Sequence, residues 1–322
     1  MIAVTAIVKN EEQLLEKMLK SCKDLPVFIL DTGSSDGSYD LYYKYNVTWK
    51  KYSQWDDCKG TSDRFSFSEA RNEALEMAND YEWRVILDAD EYLKGDFVRD
   101  LKYLVAHKKD RQTKKTVDLD KFDIISVEVE TNSEVLDSPR VLRNIPEIYY
   151  EDIVHNRIKY SEENKDKAYR SGLKIRSGYS PNHDVDPDRT IKLLERSIRE
   201  DPIKARFYYY LAREYMTRFG KQKILHVVGL LEHYCYLAQA TNEKADAHLL
   251  LGVSYLEMRN NHMARFHAWE ALKIVPTLQP AWQLVYQLGV DKFKPFYQKV
   301  IDIADNDGAL TVRKDGQTEG KD

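Results

Sequence analysis

Trp83-Arg84-Val85-Ile86-Leu87-Asp88-Ala89-Asp90-Glu91 is the stretch on which the reading of this chain turns. Val85, Ile86 and Leu87 run aliphatic without alternation, the pattern of a strand covered on both faces in a parallel sheet. Asp88, Ala89 and Asp90 then fall at its carboxyl end, the edge where open α/β sheets take their ligands. Successive strand residues point to opposite faces, so Asp88 and Asp90 project to one side with only a methyl group between them. Two such carboxylates repel unless a cation or hydrogen-bond donors meet them. Oxygen ligands suit Mg2+ or Mn2+, and a Mg2+ site characteristically combines one or two carboxylates with substrate phosphates. A solvated acidic turn is the competing reading of the tripeptide taken alone.

Upstream, strands alternate with helices. Ile2 to Val8 reads as a buried strand, and Asn10-Glu11-Glu12 opens a helix whose apolar stripe includes Leu14, Leu15, Met18 and Leu19. Val27 to Leu30 is a second strand, ending in Asp31-Thr32-Gly33-Ser34-Ser35-Asp36-Gly37-Ser38. Its glycines allow close backbone approach, and Asp36 can cap the helix that follows. The loop lacks the Lys-Ser/Thr of a P-loop and the full dinucleotide spacing. Asp31 therefore reads as a base or ribose contact, against the alternative of a plain βα turn. Val47 to Tyr52 suggests a third strand, and an irregular polar connection runs from Trp55 to Phe65. Ser68 starts a helix with Arg71 in its first turn, where the helix dipole opposes a cation. A diphosphate partner explains that arginine; a surface ion pair with Glu69 or Glu73 is the ordinary alternative. These units predict an α/β nucleotide-binding fold. Past the acids, a helix is expected over Tyr92 to His107, a solvated basic loop over Lys108 to Lys115, and strands at Phe122 to Glu130 and Pro139 to Asn144.

The 322 residues suffice for two domains, and 43% hydrophobic with 32% charged residues fits a globular chain. A net charge of −4 argues against a general nucleic-acid binder. Cys22, Cys58 and Cys235 form neither a disulfide framework nor a zinc pattern, so a reducing, cytoplasmic setting is expected. No apolar run reaches membrane-spanning length, and no signal peptide is legible at Met1 to Val8.

Thr5-Ala6-Ile7-Val8-Lys9-Asn10-Glu11-Glu12, Asp31-Thr32-Gly33-Ser34-Ser35-Asp36, Phe67-Ser68-Glu69-Ala70-Arg71-Asn72 and Leu87-Asp88-Ala89-Asp90-Glu91 stand in the order and spacing of glycosyltransferase family 2, which the first 185 or so residues resemble. The resemblance implies a GT-A domain: a nucleotide-sugar-binding α/β fold with a mixed, mostly parallel sheet. It implies that Asp31 meets the nucleobase, Asp88 the ribose or metal, and Asp90 the metal, Mn2+ or Mg2+, that holds the donor diphosphate. Arg71 would face the diphosphate or the donor sugar, and Asn10, Glu11, Gly33 and Ser34 lie in the same donor-binding loops. In Tyr149-Tyr150-Glu151-Asp152-Ile153-Val154-His155, Glu151 occupies the family's acidic position and Asp152 replaces a frequent glycine, so the base is either Glu151 or Asp152. His155 is a third metal ligand, a diphosphate contact, or a structural histidine. At Arg176-Ser177-Gly178-Tyr179 the chain lacks the histidine many relatives carry, although His183 is close.

Beyond Pro187 the period becomes helical. Ala245, Leu251-Gly252, Tyr255, Ala264, Ala271 and Pro276 fit one tetratricopeptide unit of about 34 residues, with Trp282 opening the next. Tyr208, Leu211-Ala212 and Tyr215 form a poorer copy offset by 40 residues, which implies an insertion near Gly220 to Val228. The expected division is a GT-A domain at 1–185, an all-α tetratricopeptide-like domain at 186–304 and a disordered tail at 305–322. The helices are expected to buttress the first domain or form a homodimer, with a peptide groove as the lesser reading.

The functional expectation is a metal-dependent, inverting glycosyltransferase using a UDP-sugar and an acceptor left open among glycan, lipid-linked, protein and nucleic-acid classes. The rivals are a non-catalytic nucleotide-binding scaffold whose helical repeats bind a partner, a nucleotidyltransferase, and a transferase docking nucleic acid through Lys108 to Lys115.

Overall fold

A computed structural model of the protein describes residues 1–54, 65–160, 168–181, 186–289, 294–295, 297–299 and 301. Most of the polar connection at 55–65, His183, Cys58 and the expected tail from 305 lie outside the described residues. Two compact units divide the chain, Met1–Arg189 and Thr190–Asp322.

In the first unit, β1 (Ile2–Val8) is central and nearly wholly buried. It pairs in parallel with β2 (Val27–Asp31) on one side and with β4 (Trp83–Ile86) on the other. The sheet order changes direction here, which opens a crevice at the carboxyl ends of the strands. Beyond β2 lies β3 (Thr48–Lys51), also parallel. Chain order along the sheet is β3-β2-β1-β4-β7-β6-β10-β5, completed by β5 (Glu91–Leu93), β6 (Ile124–Glu130), β7 (Val135–Arg143) and β10 (Ala168–Ser177). β7 runs antiparallel to both β4 and β6, and β5 antiparallel to β10, so the sheet is mixed and mostly parallel as expected. A separate hairpin joins β8 (Tyr149–Glu151) to β9 (Arg157–Lys159).

Helix α1 (Glu12–Ser21) buries Leu15, Met18 and Leu19 against this sheet's core. Helix α2 (Ser38–Lys44) follows the Asp31 loop. In α3 (Phe67–Glu76) the Ser66 hydroxyl caps the N-terminus by accepting from Glu69 N–H, and Ala70 and Ala74 are buried where close packing demands small residues. Helix α4 (Phe97–His107) is shorter than the expected Tyr92 to His107. Glu91 to Leu93 is strand instead, because β10 offers an edge that pairs with it. The basic loop after α4 is anchored by buried Asp110, whose carboxylate accepts from Gln112 N–H, Thr113 N–H and the Tyr169 hydroxyl.

The second unit's helices are α5 (Arg189–Glu200), whose first residue belongs to the first unit, α6 (Ala205–Phe219), α7 (Ile224–Leu237), α8 (Asn242–Glu257), α9 (Asn261–Ile274) and α10 (Gln279–Leu288). A 3-10 turn at Gly220–Lys223 occupies the place of the expected insertion. At Gly252 a Cβ would lie 2.8 Å from the Leu284 side chain and 3.1 Å from the Ala264 carbonyl, so the crossing of α8 with α9 and α10 is close, and a side chain there would have to displace Leu284. Among the described residues no helix is long and apolar enough to cross a membrane.

Candidate active site

The register of β1 aligns three loops on one edge. Val8 stands beside Asp31 in β2, and Thr5 beside Ile86 in β4. Thr32 N–H donates to Val8 carbonyl at 2.8 Å and Leu87 N–H to Thr5 carbonyl at 3.2 Å, so the loops leave the sheet side by side.

Asn10, with φ of 56°, takes a left-handed backbone that asparagine tolerates, and turns its side chain back to accept from Ser35 N–H at 2.7 Å. Its own N–H donates to Ser34 Oγ at 3.0 Å. Glu11 accepts from the Ser180 hydroxyl at 2.6 Å, tying in the segment after β10. Asp36 accepts from Glu12 N–H and Ser38 N–H, joining the starts of α1 and α2. Asp31 is fully buried. Its Oδ1 accepts from Gly33 N–H, Ser34 N–H and the Tyr39 hydroxyl, each at 2.9 Å, and its Oδ2 from the Tyr42 hydroxyl at 2.8 Å. Burial together with Asp31 pushes the Tyr39 hydroxyl up to about 12 and raises Tyr42 as well. In this structure Asp31 organises the loop through four donors, with Gly33 at φ 101° making the turn. Both tyrosines were missed in the sequence, where the one available signal is their i, i+3 spacing on one face of a helix directly after the loop.

At the central acids the structure corrects the sequence reading. β4 ends at Ile86, and Asp88 to Glu91 is a tight turn rather than extended chain, so strand alternation does not orient Asp88 and Asp90. Glu91 N–H donates to the Asp88 carbonyl at 2.9 Å, and the Glu91 carboxylate accepts from Asp88 N–H at 3.0 Å. The physical reason is that reciprocal bonding, which closes the turn more cheaply than two adjacent, unpaired acids on an extended end. Asp90 is held from the other side: its carbonyl accepts from Gly178 N–H at 2.9 Å.

Asp88 sits between arginines. Arg71 Nη2 lies 2.6 Å from its Oδ1, and Arg140 Nη1 is 3.8 Å from its Oδ2. The surface pairing of Arg71 with Glu69 or Glu73 is thereby set aside; those acids bond Tyr52 and Ser53. Burial opposes the Arg71 charge, but Asp88, Tyr150 and Glu91 outweigh it and hold its pKa above the usual value. Arg140, on β7, donates to Glu91 at 2.6 Å. Burial pushes Glu91 up to about 7 in spite of that arginine. Arg140 was missed in the sequence, where nothing in its spacing sets it apart. It arrives through the β4–β7 register, Val85 beside Val141.

Asn72 clamps the β8 segment to α3, donating to the Tyr150 carbonyl at 2.9 Å and accepting from Tyr150 N–H at 2.7 Å. The Arg71 guanidinium lies 5.4 Å from the Tyr150 ring centre. Phe67 N–H donates to the Ile153 carbonyl, fixing the turn that follows. Both Asp152, at φ 71°, and His155, at φ 51°, adopt left-handed backbone within that turn. Glycine takes this conformation without cost, whereas Asp152 holds it at a cost of about 1 kcal/mol. Both oxygens of Glu151 face cations, Arg157 at 3.0 Å and Lys159 at 3.8 Å. The Asp152 carboxylate is buried, 3.5 Å from Arg157.

Asp88 and Asp90 flank one methyl in a turn and supply hard oxygen donors, a set that fits Mn2+ or Mg2+ completed by phosphate oxygens. Among the described residues no three His, Cys, Asp or Glu side chains converge as a metal-holding group.

The family model described as glycosyl transferase family 2 matches residues 4–111, so this part of the chain is a glycosyltransferase family 2 domain and the protein a glycosyltransferase. No curated protein matches the chain. Among solved structures, S. aureus TarS 1–349 is 11% identical over 84% of this chain and 90% of that one, with a TM-score of 0.46. Glucosyl-3-phosphoglycerate synthase from Mycobacterium tuberculosis, solved with Mn2+, uridine diphosphate and phosphoglyceric acid, is 15% identical over 61% and 78%, with a TM-score of 0.39. MamA is 22% identical over 39% and 72%, with a TM-score of 0.34.

Proposed function

We propose that this family 2 glycosyltransferase domain moves a sugar from a uridine diphosphate donor to an acceptor hydroxyl, with inversion at the anomeric carbon and with Mn2+ or Mg2+ held by Asp88 and Asp90. The observation that carries the reading is the alignment of the Asn10, Asp31 and Asp88–Asp90 loops on one sheet edge, with Arg71 bonded to Asp88. When bound, the cation would neutralise charge gathering on the leaving diphosphate.

The chain's own groups do the rest. Arg71 and Arg140 are forked donors suited to bidentate contact with phosphate oxygens. The backbone around Gly33 and Ser34, kept in place by Asp31, lines the nucleoside end. For the acceptor proton we assign Asp152 as general base over Glu151, because Arg157 stands closer to Glu151, at 3.0 Å, than to Asp152, at 3.5 Å, and Lys159 engages Glu151 as well. His155 is assigned to holding the turn beside Asp152. The helical unit is proposed as a buttress or a self-association surface.

The test is a panel of nucleotide sugars assayed for metal-dependent hydrolysis and transfer. The expected result is turnover of one uridine diphosphate sugar that chelator abolishes and that Asp90→Ala lowers at least a hundredfold. Full activity in Asp90→Ala, or turnover indifferent to chelator, would refute the metal role.

A further inference from the structure

Both oxygens of Asp88 face an arginine: Arg71 at 2.6 Å on Oδ1 and Arg140 at 3.8 Å on Oδ2. Glu91 is what brings the second one in. Its Oε1 holds Arg140 at 2.6 Å while its Oε2 accepts from Asp88 N–H, so a single buried carboxylate fixes the turn and the arginine together. Arg140 also has capacity to spare, since its Nε is buried and donates to nothing among the described residues.

Resting on the donor-binding reading above, we propose that Arg140 makes cation and diphosphate binding mutually dependent at Asp88. A divalent cation arriving alone has to compete with two guanidinium groups for one carboxylate. A diphosphate changes the balance, because its oxygens offer both arginines a better fork of acceptors, including one for the unspent Arg140 Nε–H. Asp88 is thereby released toward the metal. Arg140 has two parts in this scheme: it occupies Asp88 while the site is empty, and it turns to the diphosphate when that arrives. The coupling is reciprocal, so Mn2+ must tighten uridine diphosphate by the same factor by which uridine diphosphate tightens Mn2+.

Titration calorimetry with MnCl2 alone, uridine diphosphate alone and both together measures the coupling, with thermal melting run on each protein. Arg140→Gln removes the charge while leaving an amide to donate to Glu91. Arg140→Met with Glu91→Gln removes both charges and keeps an acceptor for Asp88 N–H, as a second variant should the first fail to fold. The expected result is that either variant binds Mn2+ alone roughly tenfold tighter than wild type, the size of one partly screened charge contact, and that its Mn2+–nucleotide coupling shrinks. Arg140→Lys, which keeps the charge, should retain the coupling. A merely structural role would weaken every affinity and lower the melting transition. Folded variants that bind Mn2+ alone no more tightly than wild type, or that keep the full coupling, would overturn the proposal and leave the donor reading standing. Wild-type protein that binds no uridine diphosphate in a metal-dependent way would overturn both.

Discussion

Gly178→Ala puts the geometry around Asp90 to a quantitative test. A Cβ at this position would stand 2.7 Å from the Asp90 carbonyl oxygen. That is about 0.6 Å inside the ~3.3 Å at which a carbon and a carbonyl oxygen ordinarily meet. The obstacle is backbone rather than the end of a flexible side chain, so the two segments must part. The hydrogen bond from Gly178 N–H to that oxygen, now 2.9 Å, would stretch to roughly 3.5 Å, past the useful range. Losing it costs about 1 kcal/mol, and crowding adds about 1–3 kcal/mol. Denaturant unfolding of Gly178→Ala should therefore show a loss of about 2–4 kcal/mol. Moving Asp90 by about half an ångström should lower kcat about tenfold, given that a 1 Å misplacement costs on the order of a hundredfold. Gly229→Ala is the control: no atom lies within 4 Å of its Cβ, so the helix should gain slightly and turnover should hold. A Gly178→Ala protein with wild-type unfolding midpoint and wild-type turnover would show that the Gly178 segment does not hold the acidic turn.

Two further outcomes are expected. Asp152→Gly should relieve a left-handed backbone worth about 1 kcal/mol while lowering turnover by about 10²–10⁴, whereas Glu151→Gln should leave most of kcat; the reverse ranking in steady-state assays would move the base to Glu151. In the helical unit, His248 Nδ1 lies 3.1 Å from His267 Nδ1, with Cys235 Sγ 3.8 Å from His248 and with Glu232, Glu270, Lys244 and Lys273 around the pair. Burial, then His267, pulls His248 down to about 4, and burial lowers His267 too. Because the folded state binds fewer protons than the unfolded chain, stability is complete above the ordinary histidine range and is lost as pH falls from about 6.5 toward 4, by up to about 3 kcal/mol from His248. Hydrogen exchange in α8 and α9 at pH 7 and pH 4.5 would read this, and exchange independent of pH after correction for intrinsic rates would refute it.

The sequence by itself determined what rests on local pattern. β1 spans the residues its almost wholly apolar run announced, with only Thr5 polar, because a strand covered on both faces leaves few positions for polar side chains. The Asp31 loop was likewise legible, since glycines and small hydroxyls act on neighbours a few residues away, and the start of α3 was legible to within a residue, at Phe67 rather than Ser68. The helical repeat could be read as far as Gly252, which lies at a close helix crossing. Tertiary structure decided what depends on partners distant in the chain. Glu91 to Leu93 became strand because β10 pairs with it, overriding a helical pattern. Asp31 acquired two tyrosine donors and full burial, which no spacing rule converts into a loop-building role. Asp88 acquired Arg140 from 52 residues downstream, through the antiparallel register of β7 on β4. Charges select their partners by distance in space, and an Arg140 that looks like any other strand arginine becomes part of the acidic turn only when the sheet closes around it.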